Sequence, residues 1–275
     1  MSFKIGLAFV YHSFMPGSSP MQTPPLHQAR EWLASAASVA VLTGAGISAE
    51  SGVPTFRGED GLWKNFKPEE LATPDAFARD PRLVWEWYDW RRCAIAQAQP
   101  NAAHRALVEL EKRKRRFTLI TQNVDGLHDL AGSGKILKLH GDIWRMRCLE
   151  CGANFPNRRA PLPKIPPHCA CGGLARPGVV WFGEPLPEGM MKEAEHASEA
   201  DVFLVVGTSA MVYPAAGLIP FAKQNGAKVI EINPEETSFS SIVDCALRGK
   251  AAELLPELMR QRRNSISCLN GRAPA

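Results

Sequence analysis

The sequence predicts an α/β protein with a Rossmann-like, doubly wound parallel sheet, and three observations support this fold class. Apolar runs typical of strands buried on both faces recur at residues 39–42, 117–121 and 202–206. Segments with helical spacing separate these runs. Each run ends in Gly, Ser, Asn, Asp or His, so small and polar residues should gather at the carboxyl ends of the strands, where such folds bind ligands.

Composition indicates a soluble protein of a reducing compartment. The 275 residues are 45% hydrophobic and 22% charged, and the net charge of +4 gives little reason to expect a nucleic-acid partner. No apolar run reaches the roughly 18 residues of a membrane span. The seven cysteines are odd in number and four of them cluster, which favours a metal site over disulfides. We therefore expect a bacterial cytoplasmic protein, with a mitochondrial location less favoured, and a monomer without a membrane partner.

The first strand leads into a glycine loop. After a helix predicted over 27–37, residues 38–52 read SVAVLTGAGISAESG. Gly44 and Gly46 would allow positive φ and close approach of a ligand, and 47–50 predicts the first turn of a helix whose N-terminus suits a pyrophosphate. The spacing is G-x-G-x5-G rather than G-x-G-x-x-G, so a tight turn without a ligand is an equal alternative.

Residues 53–63 form a long loop with large aromatic side chains. One interpretation is a lid over a bound ligand, and the other is that Phe56 and Trp63 plug the core beneath the loop. The residue pattern alone does not separate the two.

A helix rich in tryptophan is predicted over 81–93. Tyr88 and Arg91 stand three residues apart and share a face, where a phenol and a guanidinium could hold a carboxylate. A surface arginine beside a half-buried tyrosine is the simpler reading of the pattern. Arg92 is out of register with this face and is expected at the surface.

Two further strands deliver polar side chains to the same edge. A helix over 101–116 ends in a basic run, 112–116, interpreted as a solvated helix end rather than a nucleic-acid patch. The strand that follows it ends in QNVDGLH, and a strand beginning at Ile136 delivers His140 into a turn. Such a histidine is either structural or catalytic. Later strands end at Gly207-Thr-Ser209 and at Asn233, and the segment 176–184 is also predicted as a strand.

Cysteines predict a structural zinc site. Cys148-x2-Cys151 and Cys169-x-Cys171 are two close pairs separated by seventeen residues, a pattern typical of four thiolate ligands. His168 is an alternative ligand because the second pair is tight. A closed four-cysteine site has no open position, so its role would be structural, and the proline-rich stretch between the pairs would depend on the metal.

Taken together, these segments resemble the sirtuins, the NAD-dependent protein lysine deacylases. The matching segments, in family order, are GAGISAESGVPTFR at 44–57, TQNVDGLH at 121–128, LHG at 139–141, the cysteine pairs, GGLARPGVVWFGE at 172–184, GTS with VYPAA at 207–216, and EIN at 231–233. The likeness divides the chain into an irregular extension (1–26), a catalytic domain (27–259) and a disordered tail (260–275). Within the domain it implies a Rossmann part (27–55, 101–140, 178–259), a helical insertion (56–100) and a zinc module (141–177).

The resemblance also implies roles for individual residues. His140 would be the general base on a ribose hydroxyl, with Asn123 and Asp125 beside it holding water and the amide. NAD would be the co-substrate and one Zn²⁺ the structural ion. The residues implied in NAD binding are Gly44, Ala45, Gly46, Ser48, Ala49, Thr55, Phe56, Arg57, Trp63, Gln122, Asn123, Asp125, Gly207, Thr208, Ser209, Asn233, Pro234, Glu235 and Ala246. The residues implied at the acyl-lysine substrate, added as a strand, are Tyr88, Arg91, Val180, Phe182, Gly183, Glu184 and Tyr213.

Tyr88 and Arg91 look like the pair of the sirtuin branch that removes succinyl, malonyl and glutaryl groups. The resemblance thus implies release of nicotinamide and O-acyl-ADP-ribose, with a preference for carboxylate-ended acyl groups and some deacetylation. A plain deacetylase and a mono-ADP-ribosyltransferase are the alternatives. A non-catalytic binding module is disfavoured because His140 and Asn123 are both present, and a dehydrogenase because hydride transfer is not the implied chemistry.

Overall fold

The structure is a computed structural model, and it describes residues 25–55 and 67–260. The strands of this part are β1 (Ser38–Thr43), β2 (Arg116–Thr121), β3 (Ile136–Lys138), β4 (Gly141–Cys148), β5 (Asn154–Pro156), β6 (Ala175–Val179), β7 (Val202–Val206), β8 (Lys228–Asn233) and β9 (Cys245–Arg248). The helices are α1 (Pro25–Ser35), α2 (Gly46–Ala49), α3 (Pro68–Leu71), α4 (Pro74–Arg79), α5 (Pro81–Gln97), α6 (Ala102–Arg113), α7 (Leu127–Ala131), α8 (Met190–Ser198), α9 (Leu218–Gln224) and α10 (Ala251–Leu258), with a 3₁₀ turn at Ala215–Gly217.

Six strands form the main sheet in the order β3-β2-β1-β7-β8-β9, and all of its neighbours are parallel. The order reverses direction at β1 and β7, as in a doubly wound fold. The predicted fold class is therefore confirmed. Strand β9 was not predicted, because its four residues, Cys-Ala-Leu-Arg, are too few to form a recognisable apolar run.

Both faces of the sheet are covered by apolar side chains. Along β1, Val39 and Val41 belong to the core beneath α1, α6 and α10, whereas Ala40 and Leu42 belong to the core beneath α8 and α9. This alternation follows from the two-residue period of a strand. It explains why parallel strands buried on both faces read as continuous apolar runs.

The helices α3–α5 and the antiparallel sheet β5-β4-β6 form what we call the small lobe. The segment 176–184, predicted as a strand, contributes β6 to this small sheet and then leaves it as a loop. Residues from α5, β4 and β6 share one apolar core that includes Trp85, Trp144 and Trp181. The helical insertion and the zinc module are therefore packed as one unit.

The basic run 112–116 is divided between two structures. The helix α6 begins at an Asn101 cap and ends at Arg113. Lys114 lies beyond it and donates hydrogen bonds from Nζ to the carbonyls of Leu33 and Ala36 at the end of α1. Lys114 therefore stabilises the C-terminus of α1 rather than that of α6, because carbonyls at a helix C-terminus attract a cation. None of the helices in the described ranges is long and apolar enough to cross a membrane.

Candidate functional site

A large cavity lies across the carboxyl ends of the parallel strands. Its volume is ≈ 970 Å³, and it is lined by the segments that follow β1, β2, β3, β7, β8 and β9. Because parallel strands all end at one edge, segments far apart in the sequence meet there. The predicted residues that line it are Gly44, Ala45, Gly46, Ala49, Thr55, Tyr88, Arg91, Gln122, Asn123, His140, Val180, Phe182, Gly183, Glu184, Gly207, Thr208, Ser209, Tyr213, Asn233, Pro234 and Glu235.

Three of the predicted residues that the structure describes lie away from the cavity wall. Ser48 and Asp125 lie behind it and are buried, and Ala246 sits within β9 opposite Glu231. Phe56, Arg57 and Trp63 lie outside the described residues, as does most of the predicted 53–63 loop. The N-terminal extension before residue 25 and the tail after residue 260 also lie outside them.

The glycine loop is shaped by a neighbouring strand end. Gly46 donates its N–H to the carbonyl of Gly207 at 2.8 Å, and a Cβ at Gly44 would lie 2.7 Å from the Cβ of Thr208. Neither Gly44 nor Gly46 has a positive φ, so that part of the expectation is wrong. Glycine is required at these positions because the loop after β1 packs directly against Gly207 and Thr208 after β7, which leaves no room for a Cβ. The helix expected after them, α2, is a single turn, which offers a few N–H groups and little macrodipole.

His140 stands at the cavity wall with one nitrogen already engaged. Its Nδ1 lies 3.0 Å from the carbonyl of Gln122, which can only accept, so Nδ1 carries the hydrogen and Nε2 is the basic nitrogen. Burial lowers the pKa of His140, and the Gln122 carbonyl opposes this shift. The imidazole is therefore neutral at pH 7 and fit to accept a proton.

The turn that carries His140 is set by backbone packing. The carbonyl of His140 accepts from the N–H of Val180 at 2.9 Å. Gly141 follows at φ +81°, where a Cβ would lie 2.4 Å from the carbonyl oxygen of Gly178. A side chain at residue 141 would thus push β6 and its following segment away from the histidine.

Asn123 and Asp125 belong to a buried polar cluster beneath the glycine loop. Asn123 donates from Nδ2 to the carbonyl of Gly44 at 3.0 Å. The Asp125 carboxylate accepts from Ser48 Oγ and from the Leu127 N–H, both at 2.8 Å. Burial raises the pKa of Asp125, against the lowering effect of these donors. Asn123 therefore reaches the cavity, whereas Asp125 fixes the loop around it.

Tyr88 and Arg91 do share one face of α5, and that face is turned into the cavity. Their side chains are 2% and 7% exposed, so a surface arginine is excluded. The Arg91 guanidinium carbon lies 4.8 Å from the Trp87 ring centroid. Trp181 donates from Nε1 to the Tyr88 hydroxyl at 2.9 Å, which leaves the phenol its own O–H to donate.

Protonation states favour anion binding here. Burial raises the pKa of Tyr88, so the phenol stays neutral. Burial lowers the pKa of Arg91, but a guanidinium remains charged across the physiological range. Trp87 and Trp181 also line the cavity beside this pair. They were not predicted as site residues, because nothing in their spacing distinguishes them from ordinary core residues.

Arg92, expected at the surface, is fully buried, and that expectation is wrong. Its guanidinium donates to the carbonyls of Ile143, Asn157 and Arg159 at 2.6–2.9 Å and stacks 5.0 Å from the Trp144 ring centroid. The arginine thus joins α5 to β4 and to the proline-rich segment of the small lobe. The helical pattern could not reveal this, because these carbonyls come from a distant part of the chain.

The four cysteines meet at one point. Their sulfurs all lie within 4.8 Å of one another, with Sγ–Sγ distances of 3.5 Å for Cys148–Cys171 and 3.8 Å for Cys151–Cys169. Four thiolates at about 2.3 Å from a tetrahedral Zn²⁺ would be about 3.8 Å apart, so the residues fit this ion. Backbone N–H groups of Cys151 and Glu150 lower the pKa of Cys148 to about 7, whereas hydrogen bonds with Cys148 and Cys151 raise the pKa of Cys171 to about 12, so Cys148 ionises before Cys171. His168 is not part of this cluster.

Fold and cavity together define an α/β protein with a ligand-sized cavity across its strand ends and a four-cysteine site in its small lobe. The Sir2 family model matches residues 44–214. The chain belongs to the Sir2 family, the sirtuins, which confirms the resemblance seen in the sequence.

Individual relatives agree with this membership. An NAD-dependent protein deacylase of Aquifex aeolicus is 61% identical over 216 residues, which are 78% of this chain and 90% of the relative. A Sir2 homologue solved as an NAD complex is 51% identical with a TM-score of 0.80, covering 84% of this chain and 91% of that one. A Sir2 protein solved with a deacetylated p53 peptide and 3'-O-acetyl ADP-ribose is 31% identical with a TM-score of 0.77, covering 85% and 97%.

Proposed function

We propose that this sirtuin is an NAD-dependent protein lysine deacylase that prefers acyl groups ending in a carboxylate, such as succinyl and malonyl. The observation that carries the preference is the buried Tyr88–Arg91 pair in the cavity wall. The family membership and the curated names of the relatives support the deacylase activity itself.

NAD would lie across the strand ends, with its adenosine half near Asn233 and its nicotinamide ribose near His140. Bound there, it supplies the ribose carbon that the acyl oxygen attacks as nicotinamide leaves. The neutral Nε2 of His140 would then take a proton from a ribose hydroxyl, because the Gln122 carbonyl holds the Nδ1 proton. Asn123 would orient the groups beside the histidine.

The peptide would enter as a strand between the segments 182–184 and 212–214, both of which line the cavity. Phe182 and Tyr213 are 47% and 69% exposed at its edge, which leaves apolar surface for a protein substrate. The acyl chain would run inward past Trp181 to Arg91. The cytoplasmic setting and the monomeric state remain part of this proposal.

Selectivity would come from charge recognition. A guanidinium and a phenol donor can bind a carboxylate with two charge-assisted hydrogen bonds, each worth about 1.5–3 kcal/mol. An acetyl group offers neither charge nor acceptor at that depth. Succinyl-lysine should therefore be favoured over acetyl-lysine by at least about tenfold in kcat/KM.

The test is a panel of peptides that differ only in the acyl group on one lysine. With NAD, each turnover should release one nicotinamide and one O-acyl-ADP-ribose without absorbance of NADH, and the succinyl and malonyl peptides should lead. Radiolabel transfer from NAD to protein in excess of deacylation would favour mono-ADP-ribosyl transfer instead. Formation of NADH would contradict the whole assignment.

A further inference from the structure

Glu231 in β8 is a buried carboxylate that the proposed chemistry does not use. Its side chain is 1% exposed and accepts three hydrogen bonds, from Thr237 Oγ1 at 2.6 Å, Ser240 Oγ at 2.6 Å and Arg248 Nη1 at 2.9 Å. Arg248 also donates from Nη2 to Ser240 Oγ at 2.8 Å. We call these four side chains the Glu231 cluster.

This cluster joins two segments that are otherwise separate. Thr237 and Ser240 belong to the loop after β8, and the N–H of Thr237 donates to Ser240 Oγ at 2.8 Å, which tightens that loop. Arg248 is the last residue of β9 and pairs in register with Asn233. A single acceptor therefore holds the ends of two neighbouring strands and the loop between them.

Both segments line the same end of the cavity. The β8 loop contributes Asn233, Pro234 and Glu235, and the segment after β9 contributes Lys250 and Ala251. Glu231 itself does not reach the wall. In the sheet order, β8 is four strand spacings from β3, or about 19 Å. A dinucleotide that reacts beside His140, as proposed above, would thus place its adenosine half at this end.

We propose that Glu231 is a positioning residue for the adenosine half of the dinucleotide, acting through the two segments that it holds together. The inference rests on the proposed function. Without the shared acceptor, two hydroxyls and a guanidinium lose their common partner, and the two segments gain freedom that ligand binding must remove. Binding to preorganised segments avoids that cost.

The experiment compares Glu231→Gln with wild type by calorimetry of ADP-ribose binding and by steady-state kinetics. We expect the Kd for ADP-ribose and the KM for NAD to rise about tenfold. The KM for the acyl peptide and kcat should change less than about threefold, since the proposed peptide segments 182–184 and 212–214 supply none of the cluster's side chains and His140 follows β3, four strand spacings away. Glu236→Gln is the matched control, because it removes an exposed carboxylate from the same loop.

A second variant, Thr237→Val, removes one donor with little change in side-chain volume and should give a smaller rise in the same direction. It also serves if Glu231→Gln does not fold. Lower melting temperature with unchanged Kd and KM for NAD in these variants would overturn the inference, because it would show a merely structural role. A wild type that binds neither ADP-ribose nor NAD would contradict the proposed function as well.

Discussion

The parallel sheet and the small lobe are stabilised in different ways. The sheet has apolar cores on both faces, and its six strands pair in continuous register. The small lobe shares one core among α5, β4 and β6, and it depends further on the four cysteines and on Arg92. The sheet presents His140 and the glycine loop, whereas the small lobe presents Tyr88 and Arg91.

This difference suggests that the sheet and the small lobe have separate functions. The groups proposed for bond making and breaking stand at the ends of strands that the main cores hold rigidly. The groups proposed to select the acyl chain stand on a helix held by a metal-dependent lobe. Substitutions at the strand ends of the sheet should therefore change the reaction rate. Substitutions in the small lobe should change the choice of acyl substrate or the stability of that lobe.

Removal of zinc should produce the largest effect. Structural zinc contributes about 10–16 kcal/mol to small thiolate sites, so chelation should unfold the cysteine-containing part of the small lobe and abolish deacylation. The six-stranded sheet should retain its far-ultraviolet circular dichroism, and added Zn²⁺ should restore activity. Full activity in protein shown by elemental analysis to be metal-free would contradict the proposed dependence of the small lobe on zinc.

His140→Ala tests the other region. Loss of a general base costs about 10²–10⁴-fold, so kcat on a succinyl peptide should fall by about that factor. The Kd for NAD measured by calorimetry should stay within about threefold, because the remaining strand ends still line the cavity. Unchanged turnover in the variant would remove His140 from the mechanism.

Arg92→Met tests whether the neighbouring residues Arg91 and Arg92 have different roles. The variant leaves the buried carbonyl of Ile143 and the partly buried carbonyls of Asn157 and Arg159 without their donor. A buried acceptor without a partner costs about 1–3 kcal/mol, so the unfolding free energy should fall by at least that amount. Urea unfolding measures this loss. The succinyl-to-acetyl ratio of the folded variant should stay near the wild-type value. A stable Arg92→Met protein with reversed acyl preference would contradict the separate roles.

The pH dependence should show a smaller effect. Because burial lowers the pKa of His140, its basic form is lost only as the pH falls through a value below the ordinary 6.5. The acid limb of kcat/KM should therefore lie below pH 6.5 and should be absent from the residual activity of His140→Ala. An acid limb above pH 7 in the wild type would show that the imidazole is not in the environment described.

Local patterns predicted much of the sheet side of the site. The glycine loop, Asn123 and His140 each follow a strand directly, so knowing the strand was enough to place the residue. What could not be predicted depends on contacts between distant segments. Gly44 and Gly46 are needed because Gly207 and Thr208 press against them. The same applies to Arg92, whose burial follows from the carbonyls of another segment, and to the Glu231 cluster.

The Tyr88–Arg91 pair shows most clearly which features of the site could be predicted from the sequence and which could not. The three-residue spacing predicted that both side chains share one helical face. Whether that face is directed to solvent, core or cavity depends on where the small lobe positions α5. The contacts of Trp85 and Arg92 with β6 and β4 decide this. The residue pattern of a helix does not indicate which distant segments will contact it.

The proposed role of Arg91 is to select the carboxylate of the acyl group. The measurement is kcat/KM on matched acetyl-lysine and succinyl-lysine peptides for wild type and Arg91→Met, a substitution that keeps a long side chain without the charge. We expect kcat/KM on the succinyl peptide to exceed that on the acetyl peptide by at least about tenfold in wild type. Arg91→Met should lose this preference, while its activity on acetyl-lysine changes little. An acetyl preference in both proteins would contradict the claim and make this an ordinary deacetylase.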